Sequence, residues 1–153
     1  MIEKSKKRLW LCWILLALNV AFIWGNSLMP GHISGALSDW LKDLLALIFG
    51  ESESSGGGGL LRKAAHFIEF TCLGLLLSWL VRMLSQKPVL FYLLPLLIGA
   101  AVAGTDELIQ CFVPDRGPSV WDVALDTCGA AVGNFVFCLV YFWKERSIMH
   151  SEE

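Results

Sequence analysis

The sequence predicts an all-α integral membrane protein. Four transmembrane helices cross the bilayer with both termini on the cytoplasmic side, and an amphipathic helix lies in the extracytoplasmic interface. Three observations carry this expectation. Hydrophobic residues make up 56% of the chain and charged residues only 17%, against roughly 25% charged in a soluble globular domain. Four apolar runs each have about the 20 residues that a helix needs to cross the hydrocarbon core, and mean hydropathy is +0.60. The lysines and arginines that flank those runs are unevenly shared between their two ends. A chain of 153 residues is then filled by one membrane domain, with no room for a large soluble one. The net charge of −2 gives no reason to expect nucleic acid as a partner.

The first apolar run, about 9–28, follows Lys4, Lys6, Lys7 and Arg8. It is long for a signal peptide and no small-x-small cleavage site follows it, so it reads as an uncleaved first span. Asn26 to Gly31 ends the helix, with Pro30 and Gly31 as breakers. From about 33 to 49, Ile33, Leu37, Trp40, Leu41, Leu44, Leu45 and Ile48 recur at helical spacing opposite Asp39, Lys42 and Asp43. One charged face and one apolar face suit a helix in the interface, and packing against the spans is the alternative. Residues 51–59, a Glu/Ser run and then four glycines, read as a flexible linker.

The second span, about 62–84, carries Arg62, Lys63, His66 and Glu69 in its first turns and Arg82 at its far end. Pro88 opens a third span over about 89–112, which passes Asp106, Glu107 and Gln110 near its end. A loop from Pro114 to Pro118 leads to the fourth span, about 120–143, which stops at Lys144-Glu145-Arg146. With both ends inside, the cytoplasmic sides hold eight lysines and arginines (4, 6, 7, 8, 82, 87, 144, 146) and the outer sides four (42, 62, 63, 116). The same topology gathers His66, Glu69, Asp106, Glu107, Gln110, Arg116 and Asp122 at the extracytoplasmic ends of three different spans.

Ionisable groups near the hydrocarbon are costly, about 2.5–3.5 kcal/mol each on insertion scales, so those kept there are functional candidates. His66 and Glu69 lie about 60° apart on a helix and suit a base with its orienting carboxylate, or half a metal site; otherwise His66 bonds a helix neighbour while Lys63 snorkels to headgroups. Asp106, Glu107 and Gln110 cover an arc of about 100° and face a common interior. Two adjacent carboxylates repel unless a proton, Arg116, Lys63 or a metal lies between them. Arg116 offers a planar fork to a phosphate or carboxylate, or else pairs with Asp115 or Glu107. Ser119 and Asp122 have capping-box spacing. Asp126, one turn deeper, has no capping role, and with Asp122, Gly129 and Gly133 it forms a face that is acidic above and Gly-x-x-x-Gly below, suited to a partner helix in the same chain or in a second copy. Among the five cysteines, Cys12, Cys72, Cys128 and Cys138 lie inside apolar runs and read as small packing residues, while Cys111 sits near a helix end; no metal spacing occurs.

These residues carry a resemblance. Lys63-Ala-Ala-His66-Phe-Ile-Glu69-Phe70-x-x-Leu73-Gly74 and the later run from Thr105 through Asp106, Glu107, Gln110, Pro114, Arg116, Ser119, Asp122, Asp126, Gly129 and Gly133 resemble the VanZ-like family of small bacterial membrane proteins. An end to the first span at Asn26, Ser27 and Pro30 extends the likeness. Phe70 and Asp126 depart from the family's usual tyrosine and asparagine. The resemblance implies a multi-pass protein of the bacterial cytoplasmic membrane, associated with resistance to teicoplanin-type glycopeptides. The expected partner is a membrane lipid, a lipid-linked envelope precursor or a lipoglycopeptide, with an oligomer left open.

Three functions follow as expectations. The first is an outer-leaflet protein that binds or modifies such an amphiphile, with Lys63, Gln110, Arg116, Ser119, Asp122 and Asp126 as the binding set. The second is a membrane-surface hydrolase or transferase acting on a lipid phosphate, with His66 as acid or base, Glu69 orienting it, and Asp106 and Glu107 holding a proton or ion. The third is a proton-coupled carrier. No cofactor is expected, with a divalent cation at the carboxylate cluster left open.

Overall fold

The computed structural model of the chain describes residues 2–49, 57–85 and 87–149. Five helices make up the fold: α1 (Ile2–Ser27), α2 (Gly31–Phe49), α3 (Gly57–Leu84), α4 (Pro88–Gln110) and α5 (Val120–Met149). No strand occurs among the described residues. Four helices are long and apolar enough to cross a membrane, over Lys6–Ser27, Gly59–Leu84, Val89–Gln110 and Val120–Ser147. α2 is the fifth, and it packs against α3.

Several boundaries differ from the sequence expectation for identifiable reasons. Gly57, Gly58 and Gly59 belong to α3, not to a linker, because the helix that follows carries them despite glycine's cost of about 1 kcal/mol per residue. Residues 51–56 of the expected linker lie outside the described residues. α4 ends at Gln110, and Cys111 and Phe112 turn instead of extending it, with the Phe112 and Val113 N–H groups donating to the Ile109 and Gln110 carbonyls. α5 runs on to Met149 because lysine, glutamate and arginine end a span without ending a helix. Cys12 and Cys138 are buried as expected; Cys72 and Cys128 instead face outward, where a cysteine serves as a small apolar surface residue.

α3 is the central element and touches all four other helices. Its closest neighbour is α5, and small residues set that approach. A Cβ on Gly74 would overlap the Ala130 carbonyl, and one on Gly133 would overlap the Thr71 carbonyl. At Gly129 a Cβ would stand 2.7 Å from the Phe67 carbonyl oxygen. The Gly-x-x-x-Gly face therefore serves a helix of the same chain. Cys12, Leu16, Ile23, Phe70, Leu73, Leu77, Leu80 and Ala103 fill the space between α1, α3 and α4. Pro95 lies inside α4 and has no N–H for the Phe91 carbonyl; beside it, Asn134 Nδ2 donates to the Tyr92 carbonyl at 2.9 Å and ties α5 to α4.

The outer surface is apolar. Trp10, Leu18, Phe22, Leu97, Phe135 and Leu139 are all exposed along the four long helices, an arrangement matched to lipid and not to water. Trp10 and Trp143 lie toward one end of the bundle and Trp121 at the other, as interfacial tryptophans do. The first of these ends gathers Arg8, Arg82, Lys144 and Glu145 around one cavity, so the helices that carry the two termini finish on the same face. There Arg82 stacks on Tyr141, 4.5 Å from the ring centroid, and lies 3.7 Å from Glu145.

Candidate functional site

The opposite end of the bundle is built from the last turn of α1, the first turns of α3, the end of α4, the loop 111–119 and the start of α5. A docked turn holds the loop in place. Asp115 adopts a left-handed backbone with φ of 62°, a conformation aspartate tolerates better than most side chains. The Gly31 N–H donates to the Pro114 carbonyl at 3.1 Å, and the backbone of Asp115 closes so tightly on Gly31 that no Cβ would fit there. His32 Nδ1 reaches Asp115 at 3.2 Å from the other side. Arg116 is thereby turned inward over the polar ends of the helices.

Asp106 is the most enclosed charged group, with 0% exposure. Ser27 donates to its Oδ2 at 2.8 Å and Gln110 donates to the same oxygen at 2.9 Å, so a carboxylate from α4 is held by α1 and by its own next turn. Its neighbour Glu107 points elsewhere and accepts the Ser119 N–H at 2.7 Å. That bond reshapes the expected capping box: Ser119 Oγ accepts from the Asp122 N–H at 3.3 Å, but the reciprocal place on the Ser119 N–H is taken by Glu107. Asp122 is released to accept from Lys63 at 2.7 Å, which links α5 to α3.

His66 and Glu69 share a face of α3 and take different partners. Glu69 accepts from Asn26 Nδ2 at 2.8 Å, and no hydrogen bond joins it to His66 among the described residues. His66 Nδ1 instead lies 3.9 Å from Asp106 Oδ2 and 3.9 Å from Asp126 Oδ2, between α4 and α5. Arg116 donates from Nη2 to the Asn26 carbonyl at 3.1 Å, while its buried Nε and Nη1 have no hydrogen-bond partner among the described residues. Neither Asp115 nor Glu107 forms an ion pair with it. Burial pulls the Arg116 guanidinium below its usual value, and Arg62 adds to this while Asp106 and Glu107 oppose it.

All ten residues proposed from the sequence are thus brought to one end of the bundle. The sequence reading missed Asn26, Ser27 and Arg62. The first two read as the end of a helix, yet they supply donors to Glu69 and Asp106; polar side chains in the last turn of an apolar span were the available signal. Arg62 borders both of the site's pockets. One is a small polar cavity of about 10 Å³, bordered by Arg62, Lys63, His66, Glu107, Asp122 and Asp126. The other, about 130 Å³, opens between α1, α2 and α3: Met29, Leu37, Leu41 and Leu61 form apolar walls, and Arg62, His66, Glu69 and Arg116 form a polar floor.

Four helices long and apolar enough to cross a membrane, with buried polar side chains gathered at one end, define a small multi-pass membrane-type protein. The VanZ/LLP1 family model matches residues 9–141, most of the chain, and the protein belongs to that family. No curated protein and no solved structure matches it.

Proposed function

We propose that this VanZ-family protein resides in the bacterial cytoplasmic membrane with its polar end outward, where it binds or modifies the headgroup of a lipid-linked or amphiphilic ligand and lowers the action of teicoplanin-type glycopeptides. The pocket between α1, α2 and α3 carries this reading. It joins apolar walls to a floor with two arginines, the chemistry of an amphiphile whose head is anionic. Arg116 is the main anchor, because its buried Nε and Nη1 have no hydrogen-bond partner among the described residues and each can donate to an oxygen of an anionic headgroup. The exposed apolar residues Ile33, Leu37 and Trp40 of α2 suit a helix at the interface, where it roofs the pocket. Orientation rests on the positive-inside rule: Arg8, Arg82, Lys87, Lys144 and Arg146 belong to the end opposite the site.

The test is glycopeptide susceptibility in a sensitive Gram-positive host expressing wild type, His66→Ala, Glu107→Ala or Arg116→Ala at matched membrane levels. Wild type is expected to protect against teicoplanin more than against vancomycin, and the three substitutions to remove protection. Equal protection by Arg116→Ala would remove the anchor, and protection by none against either drug would end the resistance reading. A second reading, a hydrolase or transferase acting on a lipid phosphate, is favoured by one observation. The unpartnered His66 borders the same pocket as both arginines, within reach of a group they hold. Phosphate release from a long-chain isoprenyl phosphate by wild type and not by His66→Ala would select it.

A further inference from the structure

We infer that His66, Asp106 and Asp126 form a binding site for one divalent cation of the Mn²⁺ or Zn²⁺ class. The three come from α3, α4 and α5, and each presents one ligand atom so that the atoms all lie within 4.8 Å of one another. Two donors on one ion, with bonds of about 2.0–2.5 Å, are at most about 4–5 Å apart, so a single cation can reach all three. One imidazole with two carboxylates is a mixed nitrogen and oxygen set, which suits Mn²⁺ or Zn²⁺ better than an all-oxygen ion such as Ca²⁺.

Four further features point to a ligand. Asp106 and Asp126 are 0% and 2% exposed, and each has an Oδ1 with no hydrogen-bond partner among the described residues; His66 Nδ1 is likewise unpartnered. Buried polar atoms are ordinarily satisfied, so three orphans on converging side chains mark a missing partner. Ser27 and Gln110 hold Asp106 through Oδ2, the kind of outer support that orients a metal-binding carboxylate. The charge balance agrees. By formal charge, Glu69, Asp106, Glu107, Asp122 and Asp126 outnumber Arg62, Lys63 and Arg116 by two, the charge of one divalent cation. The cavity of about 10 Å³ beside His66 and Asp126 has room for about one water-sized particle, which would complete the ion's coordination.

The site shares His66 with the larger pocket while Asp106 and Asp126 do not line it, and its test uses metal alone. Purified protein in detergent is stripped with chelator, dialysed against Mn²⁺ or Zn²⁺ and assayed for bound metal, with Asp106→Asn, Asp126→Asn and the surface control Asp115→Asn in parallel. Wild type and the control are expected to retain about one equivalent with equal affinity, and the two site variants to bind at least ten-fold more weakly. Wild type that binds no metal, or Asp126→Asn that binds as tightly as wild type, would overturn the assignment. Electron spin-echo modulation of Mn²⁺ on wild type provides a readout independent of variant folding. Coupling to one histidine nitrogen is expected, and Mn²⁺ bound without nitrogen coupling would refute the site.

Discussion

Ser27 is the smallest group in the polar network, and its hydroxyl makes the one hydrogen bond from α1 to the enclosed Asp106 among the described residues. Replacing it with alanine leaves Gln110 as the remaining donor to a buried carboxylate. The expected cost is about 1–3 kcal/mol, the penalty of an under-satisfied buried polar group, read as a lower midpoint of thermal unfolding in detergent. An unchanged midpoint would show that the hydroxyl is dispensable to Asp106. Lys63 and Asp122 form a contrast, because their side chains are 45% and 22% exposed. Lys63→Met is expected to change stability by less than about 1 kcal/mol in the same assay, since solvent screens such a pair. A loss as large as that of Ser27→Ala would mean that the pair is shielded. Residues on one helix were legible as a set in the sequence, since Asp106, Glu107 and Gln110 share a face by periodicity alone. Their partners were not, because Ser27 is 79 positions from Asp106 and Asn26 is 43 from Glu69. Only the packing of α1 against α3 and α4 creates those bonds.

At the level of elements, the α3–α5 crossing depends on glycines whose missing side chains let the two backbones meet. Gly133→Leu would drive a side chain into the Thr71 carbonyl and the Leu75 amide, and is expected to cost at least the 1–3 kcal/mol typical of overpacking, or to prevent folding. Gly104→Ala makes the opposite case. Nothing lies within 4 Å of its Cβ, so the gain in helix propensity, up to about 1 kcal/mol, is expected to raise the unfolding midpoint slightly. If both variants unfolded alike, the close approach would not be what selects glycine at 133. The existence of the spans was readable from hydropathy, and the Gly-x-x-x-Gly face announced a close neighbour. Two helix ends were not readable: glycine composition concealed the start of α3 at Gly57, and the charged Lys144-Glu145-Arg146 run concealed the continuation of α5. Composition marks where a chain leaves lipid, and a helix can outlast that point.

For the whole molecule, four long apolar helices gather the buried polar side chains at one end and Arg8, Arg82 and Lys144 at the other. With the exposed Cys72, Cys111 and Cys128 replaced by serine, Gly117→Cys, where a side chain meets nothing within 4 Å, is expected to react with a membrane-impermeant maleimide in intact cells; Ser147→Cys in the same background is expected to react only after permeabilisation. The reverse pattern would turn the polar end toward the cytoplasm and remove access to an outer-leaflet ligand. The most direct measurement is native mass spectrometry of the purified protein after incubation with a long-chain isoprenyl phosphate, comparing wild type with Arg62→Ala and Arg116→Ala. Wild type is expected to retain the amphiphile, and loss of either arginine from the pocket floor is expected to weaken retention at least ten-fold. Equal retention by all three, or none by wild type, would contradict an anionic headgroup in the pocket between α1, α2 and α3.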